Sequence, residues 1–385
     1  MQTTGTRAPL LTGSDAEHAL DVAERIFTNA VSLLGQSAPA LPESIGAYGG
    51  AVIVADALAR AGRVDEARVR ELLRQALVFA PDRLSLYGGA AGLLVALDVL
   101  DPGRTSLQPV RDRLRAAVAQ SIVEPKPPDL SDVGTYDLIS GIAGRAIALR
   151  DDVPDALPGL RAFAQRFADL VDERIAHPDP HEVVNLGLSH GVPGLLAALN
   201  FALPGEREPA RRYVDLLLSM SQRVDGVCRW NAVWRPDELP NARRAWCYQT
   251  VGVAAVLYDR GVLDGDGALC ALAADAFAAV LEQRYDAEQS WDAALCHGRS
   301  GVAAIAWHFA DDERFVRHAA ELAKHVLGTY DEARPLGYRS YNLRDRREED
   351  RVDFLDAALG IAQFLVDAAT GQERRWLPLF GLLPD

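Results

Sequence analysis

One short motif recurs seven times along the chain: a small or polar turn, a glycine, and then a run of alanine, leucine and valine. Aligned on the last glycine of each motif, the copies read AYGGAV at Gly50, YGGAAGLL at Gly92, SGIAGRAI at Gly144, SHGVPGLL at Gly194, CYQTVGVA at Gly252, CHGRSGVA at Gly301 and DAALGIAQ at Gly360. We call these seven residues the anchor glycines. Successive anchors are 42 to 59 residues apart, which indicates a repeat architecture with one supersecondary unit per copy.

Two kinds of helical pattern alternate between the anchors. Each anchor glycine leads into a nearly all-apolar segment, such as GLLVALDVL or GVAAIAWHF, and each interval also holds an amphipathic one, such as RFVRHAAELAKHVL. Because a helix that is apolar all round must be buried, the glycine-led helices should form an inner ring inside the amphipathic ones. We therefore predict an all-α fold, an α/α toroid of about fourteen helices in seven pairs. Residues 1–385 should form a single domain, with a pocket where the turns before the anchors gather.

Composition and charge exclude several classes of partner. No apolar run approaches the roughly 18 residues that a membrane span requires. The first residues, MQTTGTRAPLLTGSD, have no signal-peptide pattern, so we expect a cytoplasmic protein. The net charge of −14 argues against nucleic acid or an anionic membrane as the main partner.

The four cysteines of a cytoplasmic chain should be reduced, and two of them share a position in the repeat. Cys247 and Cys296 each lie five residues before their anchor glycine in adjacent repeats, and His297 follows directly. Two thiolates and one imidazole supply three ligands of a tetrahedral zinc, a number typical of catalytic sites with an open fourth position. The sequence therefore predicts Zn²⁺ held by these three residues. Cys228 and Cys270 have no such partner and are interpreted as packed thiols.

Two further polar residues belong to the same turns. His190 lies four residues before its anchor, as His297 does, and an imidazole suits proton transfer near neutral pH. Asp137 lies seven residues before its anchor and could approach from the neighbouring repeat. The alternatives are structural: a helix N-cap for Asp137 and a hydrogen bond that stabilises the turn for His190.

These motifs resemble the lanthionine cyclases of lanthipeptide biosynthesis, the LanC-like proteins. The resemblance spans nearly the whole chain and rests on the seven-fold repeat, SHGxPG from His190, RxAWCY from Arg243 and CHGxxG from Cys296. It implies zinc on Cys247, Cys296 and His297, an acid/base role for His190 assisted by Asp137, and a site lined by Arg243 and Tyr248. It also implies a free-standing cyclase that acts on a dehydrated precursor peptide supplied by a dehydratase partner.

One departure concerns the turn beside the predicted zinc. The family usually continues its Cys-Tyr pair with Gly-x-Pro-Gly, whereas here Gln249, Thr250, Val251 and Gly252 follow Tyr248. The ligand is kept, but the shape of the turn could change.

The implied reaction is the addition of a precursor cysteine thiol to dehydroalanine or dehydrobutyrine, which gives a lanthionine or methyllanthionine thioether ring. Two alternatives stay open. Protein prenyltransferase β-subunits also combine an α/α toroid with a zinc-activated peptide thiol, although their ligands resemble an Asp, Cys and His set. A non-catalytic scaffold that binds a modified peptide or a small thiol is the other.

Overall fold

The computed structural model describes the chain except for residues 1–6, 37–42, 80–82, 101–106, 151, 180–181, 236–237, 239, 241–243, 283–291, 343–346 and 385. The described residues form fourteen α-helices: α1 Ser14–Gln36, α2 Glu43–Arg60, α3 Glu66–Phe79, α4 Ala90–Leu100, α5 Gln108–Val123, α6 Ile142–Leu149, α7 Leu157–Ala176, α8 Val192–Ala202, α9 Arg207–Ser219, α10 Thr250–Asp264, α11 Gly267–Leu281, α12 Arg299–His308, α13 Glu313–Gly328 and α14 Ala358–Thr370.

The even-numbered helices form a closed inner ring. Each contacts the next even-numbered helix, and α14 contacts α2. The odd-numbered helices pack outside them, and α1 packs on α14 to complete the seventh pair. Nearly every residue of the inner helices α8, α12 and α14 is buried, whereas α9 and α13 bury one face only. The predicted α/α toroid is thereby confirmed.

The anchor glycines are required by a close approach within each turn. In five repeats, a Cβ atom on the anchor would lie 1.7 to 2.3 Å from the carbonyl oxygen six residues earlier, a contact that no side chain can tolerate. These five anchors are Gly92, Gly144, Gly252, Gly301 and Gly360. Each turn therefore folds back onto the first turn of its inner helix, and glycine allows it.

Two short antiparallel hairpins interrupt the helical pattern in the connections. Strands β1 (Gln222–Val224) and β2 (Val227–Arg229) form the first, and β3 (Ser340–Asn342) and β4 (Arg347–Glu349) form the second. Both lie in connections that precede an inner helix. None of the described helices is both long and apolar enough to span a bilayer.

The C-terminal segment lies inside the ring. Its short 3₁₀-helix, Leu377–Phe380, is buried and contacts α4 and α6. The indole of Trp246 stacks on Phe380 with ring centroids 4.5 Å apart, and its Nε1 donates to the Phe380 carbonyl at 2.8 Å. Since Trp246 belongs to the turn before α10, the segment closes the centre of the ring beneath the turns.

Candidate active site

Backbone hydrogen bonds join the turns from one repeat to the next at equivalent positions. The residue five before the anchor donates its amide to the same position of the following repeat: Ser189 to Cys247 at 3.3 Å, Cys247 to Cys296 at 3.3 Å, and Cys296 to Leu355 at 2.9 Å. The Ser189 hydroxyl adds a bond of 3.1 Å to the Cys247 carbonyl. This ladder fixes Cys247 and Cys296 side by side and places His190 on the turn next to theirs.

The two cysteine side chains contact each other. Cys247 is buried, and both thiols are free of disulfides. The hydrogen bond with Cys247, together with burial and the nearby Asp356 carboxylate, holds the pKa of the Cys296 thiol well above its usual range. Ionising this thiol would place a second negative charge in a buried cluster, which is unfavourable unless a cation binds there.

The imidazole of His297 lies between two carboxylates. Its Nδ1 is 3.6 Å from Oδ1 of Asp292, and its Nε2 is 3.7 Å from Oδ1 of Asp356. The side chain is buried, with only 4% of its surface exposed. Within the described part of the chain, no three His, Cys, Asp or Glu side chains are yet arranged as a metal site. The structure therefore brings the two predicted cysteine ligands into contact and places His297 beside them without a closed coordination shell.

His190 and Asp137 form a direct pair. Nδ1 of His190 lies 2.6 Å from Oδ2 of Asp137, although the two residues belong to different repeats. The other oxygen, Oδ1, accepts the amide protons of Ser140 and Gly141, each at 2.7 Å. Asp137 is 1% exposed, whereas the His190 side chain is 32% exposed. The buried carboxylate is thus held at three points, and it orients a partly exposed imidazole.

Tyr248 and Arg243 are the last two predicted site residues, and of these the structure describes Tyr248. The ring of Tyr248 is half-buried and lies beside His190, with centroids 6.1 Å apart and planes tilted by 43°. Tyr248 therefore lies next to the His190–Asp137 pair, and its role in the site stays a prediction. Arg243 lies outside the described residues.

Two residues of the site were missed by the sequence reasoning. Asp356, in the seventh repeat, contacts both Cys296 and His297. Tyr87, in the second repeat, donates its hydroxyl to the Leu379 carbonyl of the C-terminal segment. Burial raises the pKa of Tyr87 well above its usual range, and the charges of Cys296 and Asp356 raise it further. Both residues occupy positions that the repeat already assigned to the pocket, four and five residues before an anchor.

Comparisons with known proteins identify the family and the fold. A sequence model of the family described as "Lanthionine synthetase C-like protein" matches residues 47–380. The chain belongs to this family. Among solved structures, "Nisin cyclase" superposes with a TM-score of 0.63 over 92% of this chain and 97% of that chain, at 16% sequence identity, which shows a shared fold. No curated protein sequence matches the chain.

In this lanthionine synthetase C-like chain, the residue that follows Tyr248 has an unusual backbone conformation. Gly141, Gly191 and Gly298 start the inner helices of three other repeats, where a Cβ atom would approach backbone atoms to 2.2 or 2.3 Å. Gln249 stands at the equivalent position and adopts φ 69° and ψ −157°. That region is almost restricted to glycine, so the departure from the family pattern introduces local strain.

The donor set of the site fits zinc. Cys247 is a buried sulfur donor in contact with the half-buried thiol of Cys296, and His297 is a buried nitrogen donor on the adjacent residue. Two sulfurs and one imidazole nitrogen are the ligand types that zinc prefers over magnesium or calcium. Asp292 lies on the Nδ1 side of His297, where metal-binding imidazoles commonly have an orienting carboxylate.

Proposed function

We propose that this chain is a zinc-dependent lanthipeptide cyclase. It would add cysteine thiols of a dehydrated precursor peptide to dehydroalanine or dehydrobutyrine and form lanthionine or methyllanthionine rings. One observation carries the proposal: the Cys247–Cys296 thiol pair and the His190–Asp137 pair lie on turns joined by direct backbone hydrogen bonds. A thiol-activating centre and a proton-transfer group are the two parts that such an addition needs.

Cys247, Cys296 and His297 would hold the metal. A zinc ion bound there would lower the pKa of a substrate thiol that joins it as a ligand. Asp292 would keep the Nδ1 proton of His297 in place, so that Nε2 remains the donor atom.

His190 would deliver the proton that completes the reaction. When the substrate sulfur attacks the β-carbon of the dehydro residue, the C–S bond forms and the electron pair of the double bond moves into an enolate. Because Nδ1 of His190 is committed to Asp137, its Nε2 is the atom left to give a proton to the α-carbon. The Asp137 carboxylate stabilises the protonated imidazole before the transfer, and the thiol proton balances the one consumed.

The fold itself contributes positive potential at the same place. The inner helices α6, α8, α10 and α12 all begin directly after the turns that carry the site. Helix N-termini carry a partial positive charge, which favours the thiolate before attack and the enolate after it.

A dehydrated precursor peptide must be produced by another enzyme. Dehydro residues arise when water is removed from serine or threonine, and the site described here contains only the parts for addition. We therefore expect a dehydratase partner that acts on the same precursor. A reduced thiol pair also favours a reducing compartment, in keeping with the expected cytoplasmic location.

The test is turnover of a dehydrated precursor peptide by the purified protein. Ring formation leaves the peptide mass unchanged and consumes one free thiol per ring, so alkylation with N-ethylmaleimide followed by mass spectrometry counts the rings. We expect thiols to disappear with the wild-type protein and to persist with Cys296→Ala. Binding of the precursor without thiol loss would support the scaffold alternative. Alkylation of a peptide thiol by a prenyl diphosphate would support the prenyltransferase-like one.

A further inference from the structure

Asp356 extends a pattern of polar residues at one position of the repeat. It lies four residues before the anchor Gly360, the position that His190 and His297 occupy in their own repeats. Its carboxylate contacts the Cys296 side chain, and its Oδ1 is 3.7 Å from Nε2 of His297. Asp356 therefore faces two of the three expected zinc ligands at once.

The distance between Nε2 of His297 and Oδ1 of Asp356 is close to that between two ligands of one metal ion. With zinc bonds of about 2.0 to 2.2 Å to nitrogen and oxygen, a tetrahedral site separates the two donor atoms by about 3.4 Å. The His297–Asp356 separation of 3.7 Å exceeds this by a few tenths of an ångström. Since Asp356 also touches Cys296, it lies on the side of His297 where the sulfur donors are, opposite to Asp292.

We propose that Asp356 is a fourth protein donor to the zinc ion and occupies, in the resting enzyme, the position that a substrate thiol takes. The proposal rests on the zinc-dependent function above and specifies its metal centre. A carboxylate is a harder donor than a thiolate, so an incoming cysteine should displace it from zinc. The guanidinium of Arg351, which is 3.1 Å from Oδ2 of Asp353, also lies 3.7 Å from Oδ2 of Asp356 and would remain next to the released carboxylate.

This arrangement explains why an acidic residue lies among cysteines. Two thiolates and one carboxylate carry three negative charges, of which zinc neutralises two, and the Arg351 cation, which Asp356 shares with Asp353 and Glu349, lies beside the third. Exchange of the carboxylate for a thiolate keeps the charge at the metal constant. The fourth position is then filled until the substrate arrives, which would protect the site from other thiols.

The experiment compares metal binding by the wild-type protein, Asp356→Asn and Glu349→Gln. Glu349 is a matched control, because its carboxylate also lies 3.7 Å from Arg351 and it is not one of the four proposed donors. Zinc affinity is measured by competition with a chelator. The Co²⁺-loaded proteins are then compared by visible absorption, which reports donor atoms and coordination number, and titrated with N-acetylcysteine methylamide.

We expect Asp356→Asn to weaken zinc binding by at least about 10-fold, to change the Co²⁺ ligand-field bands, and to bind the small thiol more tightly than the wild type. Glu349→Gln should resemble the wild type in all three. Unchanged affinity and spectrum in Asp356→Asn would overturn the proposal and leave the cyclase function intact. Weaker zinc with an unchanged spectrum would also overturn it, since Asp356 would then act outside the coordination shell. A wild-type protein that binds no zinc would refute the zinc-dependent function itself.

Discussion

Nδ1 of His190 lies 2.6 Å from Oδ2 of Asp137, so a buried carboxylate in one repeat orients an imidazole in the next. Asp137 makes both kinds of contact that the sequence left open, one with the turn before a helix and one with His190. Its Oδ1 caps the turn before α6 through Ser140 and Gly141, while its Oδ2 holds His190. The structural and the proposed chemical roles thus belong to different oxygens of one side chain and can be separated by substitution.

Replacing His190 should remove proton transfer and spare the metal. We expect His190→Asn to lose about 10²- to 10⁴-fold in cyclisation rate, the usual contribution of a general acid or base. Zinc content, circular dichroism and precursor affinity should match the wild type. Near-normal ring formation by the zinc-replete variant would show that Tyr248 or water supplies the proton. Loss of zinc would show that His190 belongs to the metal shell.

Replacing Asp137 should separate its two oxygens. Asn at this position can still accept the Ser140 and Gly141 amide protons, but it carries no charge to stabilise a protonated His190. Asp137→Asn should therefore lose activity by a factor approaching that of His190→Asn, with little change in stability. Asp137→Ala should lose the same activity and, in addition, about 1 kcal/mol of stability through the missing cap. Urea unfolding of both variants beside their turnover rates checks this, and equal stability losses would contradict it.

Removal of one thiol should empty the metal site. Purified wild-type protein should contain close to one zinc per chain, and Cys296→Ala should lose most of it, because only one sulfur donor remains beside His297 and the carboxylate proposed as the fourth donor. Cys270→Ala is the matched control, since Cys270 is on the outer helix α11. The zinc content per chain of the wild-type protein and of both variants is measured by mass spectrometry. Both variants should keep their helical content, as packing between repeats rather than the metal stabilises the ring. Full zinc occupancy in Cys296→Ala would refute the ligand assignment.

The fold could be predicted from the sequence because the repeat marks the same structural position seven times. Each anchor glycine combines a steric requirement with the start of an apolar helix, so one motif locates both the turn and the inner ring. The register then placed Cys247, Cys296 and His190 at one end of that ring. They lie next to one another because backbone hydrogen bonds join equivalent positions of successive turns. The sequence register is consistent with these hydrogen bonds but does not reveal them.

Other parts of the site could not be predicted for physical reasons. Asp356 stands in one of the four copies that contain neither cysteine nor histidine, so its residue type gave no signal even though its register did. Residues 376–383 read as an apolar segment, and nothing local shows that they enter the centre of the ring. The two hairpins have strands of three residues each, too short for an alternating pattern to emerge.

The strained turn at Gln249 predicts a stabilising substitution. Gln249→Gly should raise the free energy of unfolding, because glycine adopts φ 69° without steric cost. Gln249→Ala is the matched control, as it removes the same side-chain contacts but keeps the Cβ atom and hence the strain. We expect the glycine variant to be more stable than the alanine variant by about 1 kcal/mol. The sign is diagnostic, since glycine at an unstrained position is the less stable of the two by about 0.5 to 1 kcal/mol.

A buried carboxyl next to the C-terminal segment should make stability depend on pH. Asp367 accepts hydrogen bonds from Nε1 of Trp376 at 2.6 Å and from Nε2 of Gln363 at 2.8 Å. Burial raises the pKa of Asp367 to about 7, while the Trp376 hydrogen bond and the Arg374 charge act in the opposite direction.

The sign of the effect follows from the raised pKa. In the unfolded chain an aspartic acid releases its proton near its ordinary pKa of about 3.9, whereas in the folded protein Asp367 keeps it up to about pH 7. Between these values the folded state binds more protons, so this contribution to stability is full below pH 4 and is lost as the pH rises to 7. Asp367→Asn cannot ionise and should lack this loss. The stability difference between variant and wild type should therefore shift in favour of the variant by about 3 kcal/mol from pH 5 to pH 8. Urea unfolding of both proteins at the two pH values measures the shift, and a difference independent of pH would show that Asp367 is ionised throughout.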